Sequence, residues 1–247
     1  MKILTCIKQS NDSSDISRFD AHALEEAISI KQELENQKID LVDLDVVTIG
    51  TSESSQILKR AFGMGADNGY HIVCKKKYAS SYETASRLAV IAQKASYDLI
   101  LTGIMSQDMM AGETGPMLAE IMGLPCVTGA VRTNLTLSSY SIEVEQEMEN
   151  GFRNCLDITL PAVLTIQAGI NTPGYPTLSR MLAAGKKKIH TIRESDLSCK
   201  NSDPVQIRQT YVSLENPQKT RNSQVLQGTI TDKARHLLTV LQEKALI

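Results

Sequence analysis

Through its first 125 residues the chain switches repeatedly between two hydrophobic periods, and this limits its fold more than any other feature. Residues 2–7 are a short apolar run and read as a strand. Asp20 offers an N-cap to AHALEEAISIKQELEN, where Leu24, Ala27, Ile28 and Leu34 share a helical face and Glu25, Glu26 and Lys31 lie elsewhere. LDVVTI (residues 44–49) is a strand ending at Gly50, and residues 54–64 are helical with Gly65 as C-cap. Residues 70–73 form a strand, 81–95 a helix, and DLILT (98–102) a strand ending at Gly103. A helix follows a loop at about 115–122. This β-α-β-α order predicts an α/β, Rossmann-like fold, a parallel twisted sheet with helices on both faces. Ligands of such sheets bind beyond the carboxyl ends of the strands, where strand order reverses.

After Pro125 the pattern changes. Residues 127–137 and 141–148 read as strands, Asn150-Gly151 is a turn signal, and 152–160 continue the run. An antiparallel hairpin insertion at about 127–160 is therefore expected before Pro161, with AVLTIQ (162–167) returning to the buried sheet. NTPGYPTLSRMLAAGKKK, from Asn171, holds a Pro/Gly-rich loop and a short helix. Residues 196–228 have few apolar residues and no period, and a last helix at 231–244 gathers Ala234, Leu237, Leu238 and Leu241 on one face. The expected division is an α/β domain over 1–195 and an extended C-terminal arm with a helix over 196–247. Pattern alone leaves open whether that helix covers a partner or its own domain.

Lys+Arg total 26 against 28 Asp+Glu, aromatics are 4 % and Trp is absent, which argues against a nucleic-acid binder. Cys6, Cys74, Cys126, Cys155 and Cys199 are scattered without a CxxC or Cys/His cluster, so neither a disulfide scaffold nor a zinc site is expected. The N-terminal apolar run is too short for a signal peptide, and no 18-residue apolar stretch occurs. The expectation is a cytoplasmic protein without a membrane span.

The segment GIMSQDMMAGETGPMLAE, residues 103–120, leaves a strand and enters a helix. Gly103, Gly112 and Gly115 permit close backbone approach, Ser106 and Thr114 bring hydroxyls, and the helix start brings free N–H groups. That describes a phosphate cradle, although neither GxGxxG nor GxxxxGK[ST] is present and Asp108 and Glu113 would repel an anion. Taken alone, the residues favour an ordinary βα loop. Lys8 follows the first strand and can reach the same rim; by itself it reads as a solvated lysine. Asp20 reads most simply as a cap and Phe19 as a hydrophobic staple. His22, His71, His190 and His236 are isolated, and no catalytic constellation is visible. An adenylyl-transfer enzyme on this type of sheet would need an SGGxDS or HIGH-type segment, and the sequence has neither.

Several segments together resemble the beta subunit of electron transfer flavoproteins, over nearly the whole chain. TCIK (residues 5–8) matches the family's first strand, and FDAHALEEA (19–27) is similar to NPFDEIALEEA. FGMGAD (62–67) is similar to AMGAD, VEQEMENGF (144–152) to VxREIDGG, and LPAVLT (160–165) to LPAVVT. The loop from Gly103 to Gly115 stands where the family has a segment ending QTG or QVG, and NTPGYPTLSRMLAAGKKKI (171–189) is similar to NEPRYATLPNIMKAKKKKI.

The resemblance implies an adenine-nucleotide-binding domain in a heterodimer with an alpha subunit that carries most of the redox FAD. It implies AMP in this subunit, or a second FAD in an electron-bifurcating member. Electrons would come from a dehydrogenase of the acyl-CoA dehydrogenase class and leave to a quinone-reductase-type acceptor. By position, the implied nucleotide site is Cys6, Lys8, Ser17, Phe19, Asp20, Ile49, Gly103, Ser106, Asp108, Ala111, Gly112, Glu113, Thr114 and Gly115. The implied docking loop centres on Leu178, with Tyr175 and Met181. The chain also departs from the pattern. Only ten residues separate Lys8 from Phe19, Ser13 replaces an aromatic, Ser17 an Asn, Gln146 an Arg and Glu113 a Gln. Asp108-Met109-Met110-Ala111 replaces the DGDT of bifurcating members, which favours AMP over a second FAD. A structural partner with an empty pocket is the remaining alternative.

Overall fold

The computed structural model describes residues 1–10, 15–39, 41–74, 79–197, 223 and 225–246. The chain divides into two compact units, Met1–Val205 and Gln206–Ile247. In the first, β1 (Lys2–Cys6), β2 (Asp43–Gly50), β3 (Asn68–Val73) and β4 (Leu99–Gly103) are joined by α1 (Arg18–Asn36), α2 (Ser55–Met64) and α3 (Ser81–Ala95). α4 (Thr114–Met122) leads into β5 (Cys126–Thr136), β6 (Ser141–Glu147) and β7 (Arg153–Thr159), followed by β8 (Ala162–Ile166), α5 (Leu178–Ala184) and β9 (Ile189–Arg193). Among the described residues these strands form one sheet in the order β7-β6-β5-β8-β4-β1-β2-β3-β9. Its centre is parallel, while β6 pairs antiparallel with both β5 and β7. The parallel α/β fold and its antiparallel insertion are those expected.

Neighbouring residues of each central strand enter opposite cores. Ile3, Leu44, Val46, Leu99 and Leu101 pack with Leu24 and Ala27 of α1 and Leu58 of α2. Leu4, Cys6, Val47, Ile100 and Val163 pack with Leu88 and Ala89 of α3 and Leu118 of α4. Burial on both faces explains why these strands read as continuous apolar runs rather than alternating ones. Each fully buried Leu or Ile contributes about 2 kcal/mol.

Local signals set the helix ends. Ser80 Oγ accepts the Glu83 N–H at 3.2 Å and Glu83 Oε2 accepts the Ser80 N–H at 3.0 Å, a capping box at the start of α3. Gly65 ends α2 at φ 144°. α1 begins earlier than the sequence suggests: Ser17 is its N-cap and Asp20 lies inside its first turn. The carboxylate of Asp20 is engaged by strand ends instead of its own helix. β9 was not anticipated, because its five residues show little periodicity; it is held by parallel pairing to β3 and by Tyr70 stacked on His190 at 5.3 Å.

From β1 the chain moves to β2 and β3 on one side, then crosses to β4 on the other. The crevice beyond the ends of β1 and β4 is therefore the topological switch point. In the second unit, α6 (Ile230–Glu243) starts in a capping box between Thr229 and Asp232. Most of the expected arm, with Cys199, lies outside the described residues, as does Ser13.

Candidate functional site

Asp20 reaches from α1 to the switch point. Its Oδ2 accepts the Lys8 N–H at 2.8 Å, just past β1, and its Oδ1 accepts the Gly103 N–H at 3.0 Å, at the end of β4. One side chain thus ties a helix start to the two strands that flank the crevice. The approach is close enough to require glycine: a Cβ on Gly103 would lie 2.4 Å from Asp20 Oδ1 and 2.8 Å from Asp20 N. Burial pushes the Asp20 carboxyl up to about 7, and the two backbone hydrogen bonds and the Lys8 charge only partly oppose it.

Lys8 Nζ lies 2.7 Å from each carboxylate oxygen of Asp108. Burial acts to raise the Asp108 carboxyl, but hydrogen bonds from Lys8 and Ser106 and the Lys8 charge hold it below the usual carboxylate range. The carboxylate expected to repel an anion is thereby neutralised, and Lys8 spends its charge within the protein. Glu113 is the N-cap residue of α4 and makes no side-chain capping bond.

The start of α4 sits tightly against the sheet. A Cβ on Gly115 would lie 2.5 Å from Thr165 Cγ2 and 2.9 Å from Thr102 Oγ1. Met117 N–H bonds to Glu113 O at 3.0 Å, whereas Pro116 has no N–H. The N–H groups of Thr114 and Gly115 precede the helical ladder and are the groups available to an anion.

These elements enclose a cleft of about 160 Å³ at the ends of β1, β2 and β4. Cys6, Lys8, Asp20, Ile49, Gly103, Ser106, Ala111, Gly112, Glu113, Thr114 and Gly115 all line it. Three expected residues do not. Ser17 is buried beneath the start of α1, Phe19 is half-buried on that helix, and Asp108 is turned to Lys8. The sequence reading missed the opposite wall, formed by Ser81, Thr84 and Leu88 of α3. Their i, i+3, i+7 spacing just after a strand end was the available signal. Burial also pushes the Cys6 thiol up, with the Asp20 charge adding to it, so Cys6 is a wall and not a nucleophile. Among the described residues no group of three His, Cys, Asp or Glu side chains is placed to hold a metal.

The cleft suits a phosphate-bearing nucleotide through backbone N–H groups and hydroxyls, with little charge to spare. It offers a narrow space with apolar walls at Val47, Ile49 and Leu88 and hydroxyls at Ser81, Thr84, Ser106 and Thr114. Among the described residues no nucleophile–base pair lines it.

The second cluster is a surface. Tyr175 is 78 % exposed and Leu178 77 %, so Leu178 does not tether its own loop. Leu182, one helical turn further and also exposed, extends the patch and was missed. Met181 faces inward, where a Cβ on Gly63 would meet its sulfur at 2.9 Å. The Tyr175 ring lies under the Arg60 guanidinium at 4.2 Å, and Arg60 is ion-paired to Asp15.

The electron transfer flavoprotein domain matches residues 4–197. The electron transfer flavoprotein subunit beta of Bacillus subtilis (strain 168) is 28 % identical over 232 residues, covering 93 % of this chain and 86 % of that protein. No described helix is long and apolar enough to cross a membrane. With its α/β fold, its cleft at the switch point and a match over most of its length, the chain belongs to the electron transfer flavoprotein family and is similar to its beta subunits.

Proposed function

We propose that this chain is the beta half of a heterodimeric electron carrier. It binds AMP in the switch-point cleft, helps to wall FAD held mainly by an alpha subunit, and docks an acyl-CoA-dehydrogenase-class donor through the Leu178 patch. The acceptor is of the quinone-reductase type. The observation that carries this reading is the cleft itself, where the start of α4 and hydroxyls on two helices face the ends of β1 and β4. Bound FAD supplies the redox chemistry. The chain's own residues supply binding, shielding and presentation.

Residues 1–195 form the nucleotide-binding domain in this reading, and 196–247 pack on the alpha subunit. The apolar face of α6 with Leu237, Leu238 and Leu241 supports that role. Free Cys6, Cys74, Cys126 and Cys155 fit a reducing, cytoplasmic setting. A second reading, a scaffold whose cleft takes no nucleotide, is favoured by one observation: Asp108 occupies Lys8 and Glu113 adds a carboxylate to the lining. DMMA in place of DGDT weighs against a second FAD.

The test of the carrier role is reconstitution with an alpha subunit and a donor dehydrogenase, following loss of oxidised-flavin absorbance. Leu178→Ala should slow reduction about tenfold with flavin content unchanged. Loss of flavin from that variant would make Leu178 a structural residue.

A further inference from the structure

The geometry points to Asn171 as a positioning residue, a latch that fixes the loop bearing Tyr175 and Leu178 onto α1. This rests on the docking role proposed for Leu178. Asn171 lies between the end of β8 and Tyr175, and its amide makes three contacts with α1. Nδ2 donates to the His22 carbonyl at 3.0 Å and to Glu26 Oε2 at 2.9 Å. Oδ1 accepts from His22 Nδ1 at 3.1 Å, which assigns the imidazole proton to Nδ1. Three residues on, the Gly174 N–H donates to Glu25 Oε2 at 2.9 Å.

The latch explains an otherwise odd residue. Glu26 is 8 % exposed on a helix that packs against an apolar core. A buried carboxylate is costly unless hydrogen-bonded. Its two oxygens are met by neutral donors, Asn171 and the hydroxyl of Thr133 at 2.6 Å, and Thr133 belongs to β5. Glu26 therefore joins α1, the insertion and the loop. Beyond Gly174 the chain is held again, by Arg60 over Tyr175 and by Pro176 and Met181 against Gly63. Leu178 stands clear of both anchors and projects from a fixed base. A docking residue on a fixed base loses less freedom when the partner arrives than one on a loose loop.

The test uses the intact flavin-loaded complex with four variants. Asn171→Asp sets a second carboxylate against Glu26. Asn171→Ala loses the bonds without adding charge. Asn171→Asp with Glu26→Gln swaps amide and carboxylate and restores the bond between positions 26 and 171, while the His22 carbonyl still loses its donor. Leu178→Ala is the control for docking. The readouts are KM and kcat with the donor dehydrogenase, and backbone hydrogen exchange over residues 172–178.

Asn171→Asp should raise KM about tenfold with kcat nearly unchanged and should speed exchange across the loop. Asn171→Ala should shift both in the same direction by less, and the double variant should recover the part of the loss that comes from the facing carboxylates. Wild-type KM in both Asn171 variants, alongside a raised KM in Leu178→Ala, would overturn the latch while leaving docking intact. An unchanged KM in Leu178→Ala would remove the docking reading and the positioning role with it, even if loop exchange still changed.

Discussion

Lys8 Nζ rests 2.7 Å from the carboxylate of Asp108, joining the end of β1 to the loop between β4 and α4. The pair fixes how much positive charge the cleft offers a phosphate. Asp108→Asn should release the Lys8 charge and tighten AMP binding about fivefold, because one nearby unit charge at a partly exposed site is worth about 1 kcal/mol. Lys8→Ala should weaken binding by a similar factor. Isothermal titration of AMP into the nucleotide-stripped complex reads both. Identical affinities in the two variants would place the phosphate away from this pair.

Gly103 and Gly115 have no room for a side chain. Alanine at Gly103 would force apart the Asp20 contacts that join α1, β1 and β4, and alanine at Gly115 would push α4 off β4 and β8. Each substitution should cost about 2–3 kcal/mol in denaturant unfolding. A loss below about 0.5 kcal/mol at Gly103 would mean that α1 can slide away from the strand ends without penalty.

Asp20 gives the protein a pH dependence with a defined sign. Its folded-state value of about 7 lies above the ordinary carboxylate range, so the folded state binds the extra proton. That contribution is complete below about pH 4, the unfolded value, and is lost as pH rises through about 7. The stability difference between wild type and Asp20→Asn should therefore shift against wild type from pH 4 to pH 8, by a few kcal/mol at most. Unfolding curves at matched ionic strength measure it. A difference independent of pH would mean that Asp20 stays ionised throughout.

Much of the fold could be read from the sequence, because burial on both sheet faces writes long apolar runs and capping residues mark helix ends. Ser81–Ala95 and Asn150-Gly151 are examples of such local signals. What escaped depends on distant partners. β9 becomes a strand by pairing with β3. Asp20 looks like a cap until Lys8 and Gly103 are seen beside it. The α3 wall of the cleft, Ser81, Thr84 and Leu88, belongs to the site only because the first half of α3 packs over Cys6 of β1 and Val47 of β2. The Asp108 problem could be stated from sequence, but its answer needed Lys8 folded against it, 100 residues away.

The most direct measurement is the nucleotide content of the complex co-expressed with its alpha subunit, denatured and quantified by chromatography. The account predicts one FAD and one AMP per heterodimer. Two FAD would mean that the cleft takes a flavin and the protein bifurcates electrons. FAD without AMP would leave the cleft a scaffold feature, and a complex without flavin would contradict the electron-carrier reading altogether.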